Sequence, residues 1–215
     1  MRIRFKGTLA GLVVLAWIFA VAPASAQDPG GYAPPPPGPI SDANYFRISP
    51  KLSAGAIIPF GDGYADSVGG GFALDAAIWA ELPKSFAIEL RMGLRFDLAR
   101  SNNSYGEIPF DIGFFYLLGR GPLAFVIGGG IGAHHLWETR ERTVTVGNVL
   151  VAKTVRELDD KGWGFGVFGR LGLLIRGNRA SRGSVLLSGE VTTTFITLND
   201  AKNPTAVLVL ASVLY

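Results

Sequence analysis

Histidine occurs twice in this 215-residue chain, at His134 and His135, and cysteine not at all. Neighbouring positions on an extended strand face opposite ways, so the pair does not converge on one metal, and without thiolates there is no zinc cage or redox pair. Residues 164–169 read Gly-Phe-Gly-Val-Phe-Gly, the spacing of a dinucleotide-binding turn. That chemistry needs a helix after the last glycine, with pyrophosphate at its amino end. Here a strand-like alternation continues through Arg170 to Ile175, so the glycines are spacers, and the run Gly128-Gly-Gly-Ile-Gly132 reads the same way. Asp62 and Asp66 offer the oxygens that calcium takes, but two acids among glycines are more often a solvated turn. The residue types therefore predict no catalytic group, no metal and no cofactor.

The elements that carry these residues follow a period of two. The clearest stretch is 86–98, with Phe86, Ile88, Leu90, Met92, Leu94, Phe96 and Leu98 on one face and Glu89, Arg91, Gly93, Arg95 and Asp97 on the other. A helix would mix these sets. Residues 46–58, 72–82, 108–118, 123–137, 163–175, 185–197 and 205–215 alternate similarly, which makes eight strands.

Two features decide which face is inside. Globular strands run to about 5–6 residues and tilted membrane strands to about 9–11, and these meet the second length. The apolar faces also hold no Asp, Glu, Lys or Arg. The opposite face carries Arg47, Lys51, Arg91, Arg95, Arg170 and Arg176 against Asp75, Glu81, Glu89, Asp97, Asp111 and Glu190, with glycines that leave space for long side chains. In lipid every backbone group must bond internally, so eight such strands close into an antiparallel, all-β, up-and-down transmembrane barrel over residues 44–215 with this charge network in its lumen. Trp79 falls on the polar face, and Leu208, Leu210 and Leu214 make the last strand apolar on both sides. Alternation does not account for those four.

Upstream lies an export address. Arg2, Arg4 and Lys6 precede an apolar run from Leu9 to Val21, and Ala24-Ser25-Ala26 has the small residues of a cleavage site. This predicts a signal peptide over 1–26. Residues 27–43 are a Pro/Gly-rich periplasmic linker, too rich in proline for a helix or an inner strand. The formal charge of +3 rests on 20 bases and 17 acids; without the three bases of the leader, 17 face 17. A neutral mature chain gives no support for nucleic-acid binding.

The connections 83–85, 119–122 and 177–184 are short, whereas 59–71, 99–107, 138–162 and 198–204 are mostly longer, as for a barrel with both termini in the periplasm. Within 138–162, the stretches around Gly147-Asn148 read as a hairpin that prolongs strands five and six beyond the membrane. Apolar-face aromatics gather near strand ends as girdles: Phe72, Phe96, Phe110, Trp137, Trp163 and Phe195 outward, and Phe46, Phe86, Tyr116 and Tyr215 toward the periplasm. The last strand ends Val207, Val209, Ala211, Val213, Tyr215 at every second position.

With that terminal strand, the sequence resembles the small eight-stranded outer-membrane β-barrels, the OmpA transmembrane-domain and OmpX-like family. The resemblance implies that Val209, Ala211, Val213 and Tyr215 form an assembly signal read by the barrel-assembly machinery. It implies a Gram-negative outer-membrane location, with lipid and lipopolysaccharide as the surroundings. It names no external ligand.

Three functions are open to such a chain. The first is a non-enzymatic structural or surface-interaction barrel whose lumen is filled by salt bridges, because eight strands leave an interior just wide enough for side chains. The second is a narrow channel for small solutes. The third is a barrel enzyme acting on membrane lipid. The lipid A deacylases place a serine two residues after their histidine, but here Leu136 and Trp137 occupy those positions. His135 then reads as an interfacial side chain and His134 as a lumen or rim residue.

Overall fold

The computed structural model describes residues 46–61, 64–99, 103–119, 121–145, 152–177, 183–198 and 203–215. The leader, the linker, Asp62 and the Gly147-Asn148 turn lie outside these residues.

Eight strands follow one another in chain order: β1 (Arg47–Phe60), β2 (Val68–Leu82), β3 (Phe86–Ala99), β4 (Asn103–Leu118), β5 (Leu123–Thr145), β6 (Ala152–Arg176), β7 (Ser184–Phe195) and β8 (Thr205–Leu214). Each pairs antiparallel with its neighbours, and β1 meets β8 from Lys51↔Leu214 to Phe60↔Thr205, so the sheet closes into a barrel. The Tyr215 N–H donates to the Pro50 carbonyl at 3.1 Å and extends the seam by one bond. Closure leaves no sheet edge in the wall. One end, the turn end, carries the start of β1, the end of β8 and the 3-10 turn Pro83–Ser85.

Several strands outrun their apolar alternation. β2 starts at Val68, β4 at Asn103 and β6 at Ala152, while β5 continues to Thr145. Alternation of this kind records where lipid touches the wall, whereas backbone pairing continues into water. The loops expected over 99–107 and 138–162 are therefore largely strand. β5 and β6 pair as far as Thr145↔Ala152 and form a two-stranded ribbon at the end opposite the turns. From Trp137 to Thr145 that ribbon covers about 26 Å of extended chain. A one-turn helix, α1 (Tyr64–Ser67), sits at the same end between β1 and β2.

Large apolar side chains point away from the lumen, among them Leu52, Ile78, Leu90, Phe114, Phe125 and Leu171, each more than half exposed. Covering one such side chain with an apolar medium is favourable by about 1.5–3 kcal/mol, so a surface made of them needs lipid around it. Many charged residues are buried instead, among them Lys51, Glu89 and Arg170, an arrangement that a membrane solvent favours.

Candidate functional site

The lumen holds one continuous network of ion pairs. Arg91 donates from Nη2 to Asp111 Oδ2 at 2.6 Å and from Nη1 to Glu190 Oε2 at 2.7 Å, and its Nη1 lies 3.8 Å from Asp75. Arg170 bridges Glu89 at 2.9 Å and Glu190 at 2.8 Å. Lys51 donates to Glu89 as well. Arg95 reaches Glu107 at 2.8 Å and Glu190 at 3.5 Å. His134 stands between Glu107 and Asp111. Lys51, Glu89, Arg91, Arg95, Asp111, Arg170 and Glu190 all have 8% exposure or less, so little water screens these contacts.

Four of the charged residues read from sequence, Arg47, Glu81, Asp97 and Arg176, lie outside these pairs. Arg47 lies opposite Glu81 in the β1–β2 register at the turn end. Arg176 pairs with Glu81 at 3.0 Å and donates to the Gly121 carbonyl. Asp97 accepts a hydrogen bond from the Tyr64 hydroxyl, which α1 lowers into the mouth of the barrel. Burial first, and Asp97 second, push the Tyr64 hydroxyl well above its ordinary titration range, so it remains a donor.

Two apolar layers enclose the network. On the turn side Trp79, Phe115, Phe168, Leu174, Leu186 and Leu214 pack together, with the Trp79 and Phe115 rings 5.2 Å apart. The Arg91 guanidinium lies 4.4 Å from the Phe168 ring centre, and Arg170 lies 5.0 Å from that of Phe115, so the cations rest on aromatic faces. On the ribbon side Ile57, Tyr64, Tyr105, Leu136, Leu208 and Leu210 form the second layer. These layers account for Trp79, Leu208, Leu210 and Leu214, the residues that break the alternation: they are lumen side chains that seal instead of pairing.

Glu107, a partner of His134, escapes a reading by alternation alone. Alternation starts β4 at Ile108, because Pro109 and Tyr105 blur the polar face and Gly106 the apolar one. The available signal is the two-residue spacing of Tyr105, Glu107, Pro109 and Asp111. Pro109, which has no amide to donate, also coincides with the break in β3–β4 pairing between Met92↔Phe110 and Arg95↔Glu107.

Glycines seat the charged groups. A Cβ on Gly166 would stand 2.2 Å from His134 Nε2, and one on Gly93 would stand 2.0 Å from Asp75 Oδ1. The glycine spacing of 164–169 thus serves the fit between strand and lumen.

Outside, Phe72 stacks near Phe96 at 5.3 Å, Phe96 meets Trp137 at 6.4 Å, and Phe110 meets Trp163 at 6.1 Å. His135 lies 5.0 Å from Trp163, on the opposite side of the wall from His134. Phe195 joins Phe165, and at the turn end Tyr116 meets Phe86 at 5.4 Å. Val209 and Tyr215 face outward and are exposed, Val213 is half-buried, and Ala211 is buried between its neighbours on β1 and β7.

His134, an acid and the Thr194 hydroxyl make up the residue types of a hydrolytic triad, and both His134 and Thr194 are buried. Both ring nitrogens are engaged, Nδ1 with Glu107 at 2.5 Å and Thr194 at 2.7 Å, and Nε2 with Asp111 at 2.9 Å. The Thr194 hydroxyl lies 2.8 Å from Glu107 and donates to it. A groove of about 770 Å³ does open in the wall, but it lies on the membrane-facing side among Ile78, Leu90, Met92, Phe110, Ile131 and Phe165.

Several solved structures are similar to the chain. Neisserial surface protein A (NspA) aligns over 79% of this chain and 95% of its own with a TM-score of 0.56, at 10% identity. Ail, the attachment invasion locus protein of Yersinia pestis, aligns over 77% of this chain and 97% of its own, with a TM-score of 0.45 and 14% identity. OprG from Pseudomonas aeruginosa covers 80% of this chain and 95% of its own, with a TM-score of 0.40 and 13% identity. No family model matches the chain, and no curated protein matches it. The chain has the fold of the small eight-stranded outer-membrane barrels.

Proposed function

We propose that this is a Gram-negative outer-membrane protein without enzymatic activity, in which the barrel is a sealed anchor and the working surface is the ribbon of β5 and β6 with its neighbouring loops. The observation that supports this most directly is the layering of the lumen. A solute would have to displace the Tyr64 layer, break the ion pairs around Arg91 and pass the Trp79 layer. The ribbon, in contrast, projects charged side chains beyond the apolar belt, with Arg140 3.4 Å from Asp159. The leader and linker put both termini in the periplasm, so the ribbon faces outward. Outer-membrane lipid and lipopolysaccharide then surround the aromatic girdle, and the barrel-assembly machinery receives the β8 strand during insertion.

Planar-bilayer recordings on the refolded protein test the seal, and adhesion of cells with and without residues 143–154 tests the ribbon. The expected result is no unitary conductance, with adhesion lost while the truncated barrel still folds. Discrete conductance steps would favour the narrow channel, and a gene-dependent change in lipid A mass would favour the lipid enzyme.

A further inference from the structure

The ion network has a fixed membership. Among the described residues, those linked to one another by pairs within 4.0 Å are the carboxylates Asp75, Glu89, Glu107, Asp111 and Glu190, the cations Lys51, Arg91, Arg95 and Arg170, and His134. Without His134 the acids exceed the bases by one. An unbalanced charge enclosed between two apolar layers has neither water nor salt to compensate it.

The contacts of His134 lead to the same place by a separate route. A neutral imidazole has one N–H and one bare nitrogen. Here both nitrogens lie within hydrogen-bond distance of carboxylate oxygens, Nδ1 of Glu107 Oε1 at 2.5 Å and Nε2 of Asp111 Oδ1 at 2.9 Å. An ionised carboxylate only accepts, so each nitrogen must donate. Thr194 agrees, because its hydroxyl donates to Glu107 and its oxygen is left to accept from Nδ1.

We propose that the lumen contains a proton-binding site: His134 is an imidazolium, the fifth cation of the network, and folding of the barrel takes one proton from solvent to place it there. The surroundings suit a cation that stays put. β4 presents Glu107 and Asp111, β7 presents Glu190 and Thr194, and β2 presents Asp75. β3 contributes Arg91 and Arg95, which share those carboxylates, and β6 contributes Gly166, whose lack of a side chain gives the ring its place. The proton site belongs to the lumen alone and is independent of whatever the ribbon contacts.

Two measurements test it. Nitrogen NMR of the refolded protein with labelled histidine, in the His135→Gln variant so that one ring remains, should show two N–H nitrogens at neutral pH. If that variant does not refold, comparison of wild type with His134→Gln assigns the same signals. One N–H and one bare nitrogen would overturn the proposal. The second measurement compares urea unfolding midpoints. His134→Gln removes a cation and should lower the midpoint. Adding Glu107→Gln removes one acid, restores four against four, and should raise the midpoint above that of His134→Gln alone. If His134 acted only as a hydrogen-bonding spacer, the double variant would be no more stable than the single one, and that result would refute the charge-balance reading.

Discussion

Arg91 and Glu190 lie 99 positions apart in the chain, yet they meet in the lumen through two parallel hydrogen bonds, Nη1 to Oε2 at 2.7 Å and Nη2 to Oε1 at 2.9 Å. One is on β3 and the other on β7, so the pair spans the interior and couples walls that no ladder bond connects. Removing one member of a buried pair strands the other and costs about 3–5 kcal/mol. Arg91→Ala is expected to lower the urea midpoint of the detergent-refolded barrel by that order. Arg95→Ala, which takes one of its cationic partners from Glu107, should lower it as well. An unchanged midpoint in both would mean that water fills the lumen.

The turn-side layer makes a separate prediction. Trp79 is fully buried against Phe115, and the Lys51 ammonium lies 5.6 Å from its ring. Trp79→Ala leaves a cavity and should destabilise the barrel by about 3–5 kcal/mol. Because the Tyr64 layer remains, bilayer recordings of this variant should still show a closed lumen. A stable open pore would assign the whole seal to Trp79.

Two kinds of glycine should behave differently. Gly166→Ala forces a methyl into the space of the His134 ring, whereas a methyl added at Gly169 or Gly189 would meet nothing within 4 Å. Gly166→Ala should therefore unfold at clearly lower urea, while Gly169→Ala and Gly189→Ala stay within about 0.5 kcal/mol of wild type. Equal effects at all three sites would mean that strand flexibility, not fit to His134, governs these positions.

Tyr215 separates stability from assembly. Its ring is exposed at the turn end, and only its backbone joins the closing seam. Wild type should fractionate with the outer membrane and migrate anomalously until heated. Deleting Tyr215 should leave refolding from urea into detergent nearly intact while the protein accumulates poorly in the outer membrane of cells. Parallel losses in both assays would assign the residue to stability alone, and normal insertion would remove the assembly signal.

Most of the architecture is legible in the chain because alternation is local. Successive residues of a strand face opposite ways whatever the strand pairs with, so the apolar face from Phe86 to Leu98 and the charged face from Glu89 to Asp97 reveal the strands, their number and which face meets lipid. Closure is not local. Which charges meet across the lumen depends on strand tilt and stagger, so neither the Arg91–Glu190 pair nor the grip of Glu107 and Asp111 on His134 can be read from spacing. The same holds for Trp79 and Leu208. Each is a violation of period two on its own strand and becomes part of an apolar layer only when β4 and α1 bring Phe115 and Tyr64 to it. Local backbone geometry determined the faces, and the tertiary fold decided what each inward residue does.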